Sequence, residues 1–400
     1  MKPLLLTNEY PPHIYGGAGI HVEYLSRELA KLCDVEVRCF GDQDIPKGNP
    51  IVTGFDADKS SYTAPAGLHS VLTALDKCLQ FNSNEVTSDV VHVHTWYAHF
   101  GGILAKLNYG IPLVLTVHSL EPLRPWKREQ LGGGYDFTLW LEKTAIEMAD
   151  AVIAVSKETK ADVQKLFNID DDKLHVIYNG IDPDEYQPTQ DAEVLNKYNI
   201  SPDKPSVLFV GRITRQKGIV HLVNAIKHLD ANCQVILCAG APDTPEIAEE
   251  MINAVEAARA DYAGDIIWID EMISTHEKVV LYSTADVFCC PSIYEPFGII
   301  NLEAMACETP VVASHVGGMK EIIIPGKTGT QVPLEQIDES PFEAANPPKF
   351  AKDLADAINH LLHNPDLATQ MGKAGRERVI DMFSWTAIAE QTVDLYKSLV

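Results

Sequence analysis

Positive charge is scarce in this chain: 32 Lys and Arg stand against 56 Asp and Glu, a formal net charge of −24. So acidic a surface repels nucleic acid and anionic lipid, which argues against a nucleic-acid partner or a membrane partner. Long apolar runs are also missing, and none approaches the ~20 residues needed to span a bilayer. The opening Met1-Lys-Pro-Leu-Leu-Leu-Thr-Asn turns polar after three leucines, too short a run for the core of a signal peptide. A cytoplasmic protein is therefore expected. No Cys-x-x-Cys pair occurs among the eight cysteines. Cys289 and Cys290 are adjacent in the apolar run 285–291, and Cys39, Cys238 and Cys307 also sit in apolar stretches, where cysteine behaves as a small hydrophobe. They read as core thiols rather than redox or metal groups.

What is present is a patterned chain of 400 residues, more than one hydrophobic core usually covers, so two domains are expected. Short apolar runs alternate with amphipathic stretches. Strands are expected at 3–7, 35–40, 90–94, 113–118, 151–155 and 174–178, and a helix over 20–32 with Ile20, Tyr24, Leu25, Leu29 and Leu32 on one face. Continuous apolar strands of this kind suit a parallel sheet covered on both faces. The stretch from Tyr178 to Pro188, rich in Gly, Pro and Asp, reads as a linker. The rhythm restarts with strands expected at 207–210, 234–238, 266–269, 287–290 and 311–313. The fold class is therefore α/β, with two Rossmann-like domains. Their expected bounds are 1–182 and 183–383, with a terminal amphipathic helix over 384–400 packing back on the first. Ligands of such sheets bind beyond the carboxyl ends of the strands, here in a central cleft faced by both domains.

The loops after strands carry the chemistry. Gly16, Gly17 and Gly19 lie between the first strand and a helix, where glycine lets a backbone approach a phosphate and the helix end offers N–H donors. The spacing is not the Gly-x-Gly-x-x-Gly of a dinucleotide site, which counts against a nicotinamide enzyme. Arg212 and Lys217 sit together after the first strand of the second half. They read either as two solvated charges or as a pair able to reach one pyrophosphate, arginine through a planar fork and lysine as a point charge, and their place at a strand end beside glycines in an acidic chain favours the pair. Glu295 and Glu303 flank a helix start at Phe297-Gly298-Ile299, whose free N–H groups suit anionic oxygens while the carboxylates accept from sugar hydroxyls. Two histidines on one strand, His92 and His94, have no carboxylate or cysteine companion in sequence. They read as packing groups, and no metal site is expected. Glu121, Arg124, Trp126, Lys127 and Arg128 follow His118 in a Pro-rich loop that reads either as an exposed charged loop or as a contact surface, with Trp126 and Tyr135 stacking on a sugar face and Arg124, Lys127 or Arg128 holding a phosphate.

Together, Gly-Arg-x4-Lys-Gly at 211–218 and Glu-Pro-Phe-Gly-x4-Glu-Ala-Met-Ala at 295–306 resemble the retaining nucleotide-sugar glycosyltransferases of the GT-B fold. Glu9-Tyr-Pro-Pro with Gly16-Gly-Ala-Gly-Ile-His, His94-Thr-Trp-Tyr and His118-Ser-Leu-Glu-Pro-Leu-Arg-Pro-Trp-Lys look like the short, actinobacterial-type glycogen synthase and maltose-1-phosphate synthase branch. The resemblance covers essentially the whole chain. It implies an acceptor domain followed by a donor domain, and a hexosyltransferase that moves glucose from ADP-glucose to the 4-hydroxyl of an α-glucan or of glucose 1-phosphate, with no cofactor and no metal.

The catalytic set it implies is Arg212 and Lys217 on the donor diphosphate, with Glu295 and His118 on the donor glucose. Gly16, Gly17, Phe297, Gly298, Ile299, Leu302 and Glu303 would complete the donor site, Glu303 on the ribose. Tyr15, Trp96, Glu121, Arg124, Trp126 and Lys127 would meet the acceptor. Longer bacterial glycogen synthases carry Lys-Thr-Gly-Gly and His-Asp-Trp where this chain has Ile14-Tyr-Gly-Gly and His94-Thr-Trp, so elongation of long glucan does not transfer unexamined. A UDP-sugar donor with another acceptor, a nucleotide-sugar epimerase and a non-catalytic glucan-binding subunit remain open at this point, and the oligomeric state is not readable.

Overall fold

A computed structural model of the chain describes residues 1–56, 62–230, 232–338 and 342–400. The chain divides into two compact units, Met1–Gly180 together with Trp385–Val400, and Ile181–Ser384.

Unit 1 is built on β1 (Pro3–Thr7), β2 (Glu36–Phe40), β3 (Asp44–Ile45), β4 (Ile51–Phe55), β5 (Val90–His94), β6 (Leu113–Val117), β7 (Ala151–Ala154) and β8 (Leu174–Val176). They form one sheet in the order β3-β4-β2-β1-β5-β6-β7-β8, parallel throughout except for the antiparallel β3–β4 edge. Every residue of β1, β5 and β6 is buried, as a sheet covered on both faces requires. The expected strands form within two residues of their bounds. β3 and β4 escaped notice because Asp44–Ile45 is exposed and the buried run in Ile51–Phe55 is broken by Thr53 and Gly54. The first helix runs Gly17–Leu29, three residues earlier than its periodicity suggests, because the glycine loop itself supplies the first turn. The helix Trp385–Leu399 shares a core with the first helix and sheet. Trp385, Ile388, Ala389 and Tyr396 pack among Leu25, Leu29, Val37 and Ile153.

Unit 2 holds β9 (Ser206–Arg212), β10 (Gln234–Gly240), β11 (Asp265–Ile269), β12 (Val287–Cys290), β13 (Val311–Ser314) and β14 (Gly329–Val332). The sheet order is β11-β10-β9-β12-β13-β14, with all pairs parallel. β9 runs two residues past its apolar stretch because pairing with β10 continues to Arg212 opposite Gly240. Arg212 is thus the last residue of a strand rather than part of a loop. β14, with the polar pair Thr330-Gln331, carries too little apolar signal to be read as a strand. Phe209 and Phe288 are fully buried, so β9 and β12 are both anchored in the core.

Candidate active site

In unit 2, the two loops that follow β9 and β12 meet. Lys217 Nζ donates to Glu295 Oε2 at 2.7 Å, and Ser292 Oγ donates to the same oxygen at 3.2 Å. Thr214 shapes the lysine's turn by accepting from Lys217 N through its hydroxyl at 3.1 Å. Gly218 then takes φ +61, where an added Cβ would strike the carbonyl oxygen of Pro291. Only glycine allows the two loops to approach so closely. A Cβ on Gly211 would lie 3.9 Å from Lys217 Cγ, so the lysine stem runs beside the end of β9, next to Arg212. Arg212 NH1 donates to Asp243 Oδ1 at 2.8 Å, and its side chain remains 42% exposed. Two cations therefore stand at neighbouring positions, each steadied by one carboxylate and each solvent-accessible. Two cations so placed suit a polyanion of the pyrophosphate kind.

The loop carrying Glu295 is held from below. Gly318 N donates to Glu295 O at 3.0 Å, Gly317 has φ +51, and Gly298 has φ +104 at the start of the helix Ile299–Ala306. Phe297, Ile299 and Leu302 are buried, Leu302 completely, so their side chains anchor the segment and only backbone groups are left to face a ligand.

Glu303 is 1% exposed, and its carboxylate accepts from Tyr186 OH (3.1 Å), Lys278 Nζ (2.9 Å) and Tyr282 OH (2.8 Å). Burial, and then the Glu303 charge, push both tyrosine hydroxyls well above their ordinary pKa, which keeps them as donors. The carboxylate is therefore the hub of a four-residue network. Lys278, Tyr186 and Tyr282 lack any motif that would single them out in sequence. Removing one partner of a buried pair costs several kcal/mol. Because Lys278 is partly exposed and two tyrosine donors remain, Lys278→Met is expected to destabilise the protein by ~1–3 kcal/mol, read as a lower urea midpoint with an unchanged slope.

In unit 1, the glycine loop already holds a carboxylate. Glu9 Oε2 accepts from Tyr15 N and Gly16 N, each at 2.8 Å, and a Cβ on Gly19 would come within 2.8 Å of the Glu9 side chain. Glu9 shows that the loop's N–H groups are arranged for an oxyanion. Gly17 is exposed, and no intrahelical acceptor reaches the first-turn N–H groups.

Behind the loop lies a group of imidazoles. His21 Nδ1 is 2.6 Å from Asn179 Oδ1, and His94 Nδ1 is 3.0 Å from His118 Nε2. His92 is held by Tyr396 OH at 2.5 Å and Thr116 Oγ1 at 2.7 Å. Burial lowers His21 to about 4 and His99 to about 3. Burial first, and then neighbouring imidazoles, hold His92, His94 and His118 well below 6.5. All five stay neutral in the folded protein, whereas the unfolded chain protonates them near ~6.5. The unfolded state thus binds more protons as pH falls below that value, so stability is full above ~6.5 and is lost on acidification towards the folded pKa values. Urea midpoints are expected to fall between pH ~7.5 and ~5.5, above the carboxylate range. A flat profile over that interval would contradict the assignment.

The loop after His118 is more enclosed than its charges suggested. Glu121, Trp126 and Lys127 are buried, as is Trp96, which stacks on Tyr97 at 4.0 Å. Lys127 Nζ donates to Glu121 Oε1 at 3.2 Å, and Thr138 Oγ1 donates to Oε2 at 3.1 Å. Glu142 accepts from Glu121 N at 2.8 Å, and burial followed by the Glu121 charge raises its pKa well above the carboxylate range. Arg124 NH1 donates to Ser119 Oγ at 3.1 Å and lies 3.6 Å from Glu121 Oε1. Arg128 forks onto Asp136. The cations of this loop are thus engaged with its own acids. Of the six residues expected to meet an acceptor, Tyr15 is the one that stands open, at 67% exposure.

Comparison with known proteins gives the family. Residues 15–185 match Glycosyltransferase Family 4, and residues 190–341 match Glycosyl transferases group 1. The chain is 47% identical to the alpha-maltose-1-phosphate synthase of Mycolicibacterium smegmatis and 44% identical to that of Mycobacterium tuberculosis, in both cases over 100% of each chain. Among solved structures, sucrose-phosphate synthase from Thermosynechococcus elongatus superposes with a TM-score of 0.81 at 28% identity, covering 100% of this chain and 99% of that one. Among the described residues, no helix is long and apolar enough to cross a membrane. The chain belongs to the GT-B glycosyltransferases, in the maltose-1-phosphate synthase and glycogen synthase branch.

Proposed function

We propose that the chain is a retaining glucosyltransferase that moves glucose from ADP-glucose to the 4-hydroxyl of glucose 1-phosphate, producing maltose 1-phosphate and ADP. The carrying observation is the Lys217–Glu295 pair beside Arg212 at the ends of β9 and β12. Full-length similarity to two alpha-maltose-1-phosphate synthases supports the choice of acceptor.

In this reading, unit 2 binds the donor. Arg212 and Lys217 take the diphosphate, and the backbone at Phe297–Ile299 takes its outer oxygens. Glu295 faces the glucose hydroxyls, and Glu303 steadies the ribose side through its network. The acceptor is assigned to unit 1, which carries His118 and the glycine loop. The bond from the sugar's anomeric carbon to the phosphate oxygen breaks as the acceptor O4 approaches on the same face. The acceptor proton passes to the departing phosphate oxygen, so no protein nucleophile takes part. The protein's contribution is electrostatic: two fixed cations meet negative charge as it grows on the leaving group. That charge is met without a metal. A cytosolic setting suits the eight unpaired thiols.

The test is a panel of ADP-glucose and UDP-glucose against glucose 1-phosphate and a short glucan, read by product mass. A disaccharide phosphate from ADP-glucose and glucose 1-phosphate supports the proposal. Glucan extension alone, UDP-glucose as the sole donor used, or release of altered sugar without acceptor would overturn it.

A further inference from the structure

The imidazoles of unit 1 form a constellation of which the proposed transfer uses only His118, leaving His21 and His94 without an assigned role. His21, His94 and His118 each offer one ring nitrogen, and these nitrogens all lie within 4.8 Å of one another. They come from three different elements: the helix Gly17–Leu29, the last residue of β5, and the residue just after β6. Their order in sequence, with spacings of tens of residues, hides the group, and a reading restricted to His92 and His94 misses it.

We propose that His21, His94 and His118 form a binding site for one divalent transition cation of the zinc class. Three neutral imidazoles with a fourth position open to water make up a known zinc donor set. The absence of a carboxylate or carbonyl among the three selects against magnesium and calcium, which need oxygen ligands.

Two further features point to a ligand. His21 Nε2 and His94 Nε2 are buried atoms without a hydrogen-bond partner, on residues 2% and 0% exposed. A histidine whose only duty is packing normally has its buried nitrogens satisfied. The rings are also held from behind, as metal-binding imidazoles are. His21 Nδ1 is hydrogen-bonded to Asn179 Oδ1 at 2.6 Å. The amide oxygen can only accept, so the proton sits on Nδ1 and the lone pair on Nε2. The His92 ring, fixed by Tyr396 and Thr116, lies 4.2 Å from that of His94 and holds its orientation. The ring centroids of His21 and His118 are 4.7 Å apart, so small rotations bring three nitrogens around a common centre. An ion there would fasten the helix that begins in the glycine loop to the ends of β5 and β6.

The test uses the full chain, stripped with chelator and desalted, then titrated with zinc by calorimetry, with cobalt(II) as an optical probe. One zinc per chain is expected, no binding of magnesium, and an intense visible cobalt spectrum of four-coordinate type. Asn179→Ala, which removes the support but none of the three nitrogens, is expected to weaken zinc binding roughly 10–100-fold. His21→Leu should remove the tight site, with circular dichroism confirming the fold. If the wild-type protein binds no stoichiometric zinc, gives only a pale six-coordinate cobalt spectrum, or binds zinc equally well after His21→Leu, the proposal fails. The readout is ion binding, so it does not depend on turnover.

Discussion

Lys217→Ala is expected to lower turnover at saturating donor by ~10²–10³-fold, the usual loss when a preorganised group that meets developing charge is removed. The protein should stay folded. Lys217 lies on a loop and its side chain is 21% exposed, and its partner Glu295 keeps the Ser292 hydroxyl as a donor. The expected size follows from the position. Lys217 Nζ is held at 2.7 Å by Glu295, so its charge is in place before the donor arrives and needs no reorganisation when the phosphate bond breaks. Lys217→Arg keeps the charge but cannot occupy the same point beside Gly211, so only partial rescue is expected. Single-turnover rates with matched circular dichroism check both variants. A turnover within a few-fold of the parent's would remove the lysine from the mechanism.

Gly317→Ala should be nearly as damaging, although residue 317 carries no functional group. Its φ of +51 disfavours any side chain, and the added methyl would land on the carbonyl oxygen of Glu295. The hydrogen bond from Gly318 N to that oxygen, 3.0 Å long, would have to move as well. Backbone strain combined with overlap against another backbone is expected to cost ~2–4 kcal/mol of stability. Displacing Glu295 by as little as ~1 Å should cost on the order of 10²-fold in rate. Gly326→Ala is the control. Its φ is +74, yet its surroundings are open, so it should lose only ~1–2 kcal/mol from left-handed strain and keep its activity. Equal activity in the two variants, after correction for the folded fraction, would contradict the positioning role of Gly317.

The parallel sheets were legible because most of their strands are short apolar runs, buried throughout in β1, β5 and β6. The cation pair was legible because glycines bracket it at the end of a strand. Other features were hidden for physical reasons. Glu303 can be read as a ligand-facing carboxylate, but its partners Tyr186, Lys278 and Tyr282 come from separate segments that only the packed unit brings together. Glu9 reads as an ordinary residue after a strand until the chain doubles back and the N–H groups of Tyr15 and Gly16 close on it. Local charge density also misled at 121–128. A row of acids and bases suggests a solvated loop, whereas buried Glu121 gathers Lys127 and Thr138 around itself. Sequence shows how many charges a loop holds but not which of them neutralise each other.

The central claim is that Arg212 and Lys217 hold the donor's diphosphate without a metal. The most direct measurement is calorimetric titration of the parent protein, Arg212→Ala and Lys217→Ala with ADP in the presence of chelator. One ADP per chain is expected for the parent, and weakening of about 10–100-fold for each variant, the value of one charge-assisted contact. Equal affinity in all three proteins, or binding that appears only when magnesium is added, would contradict it.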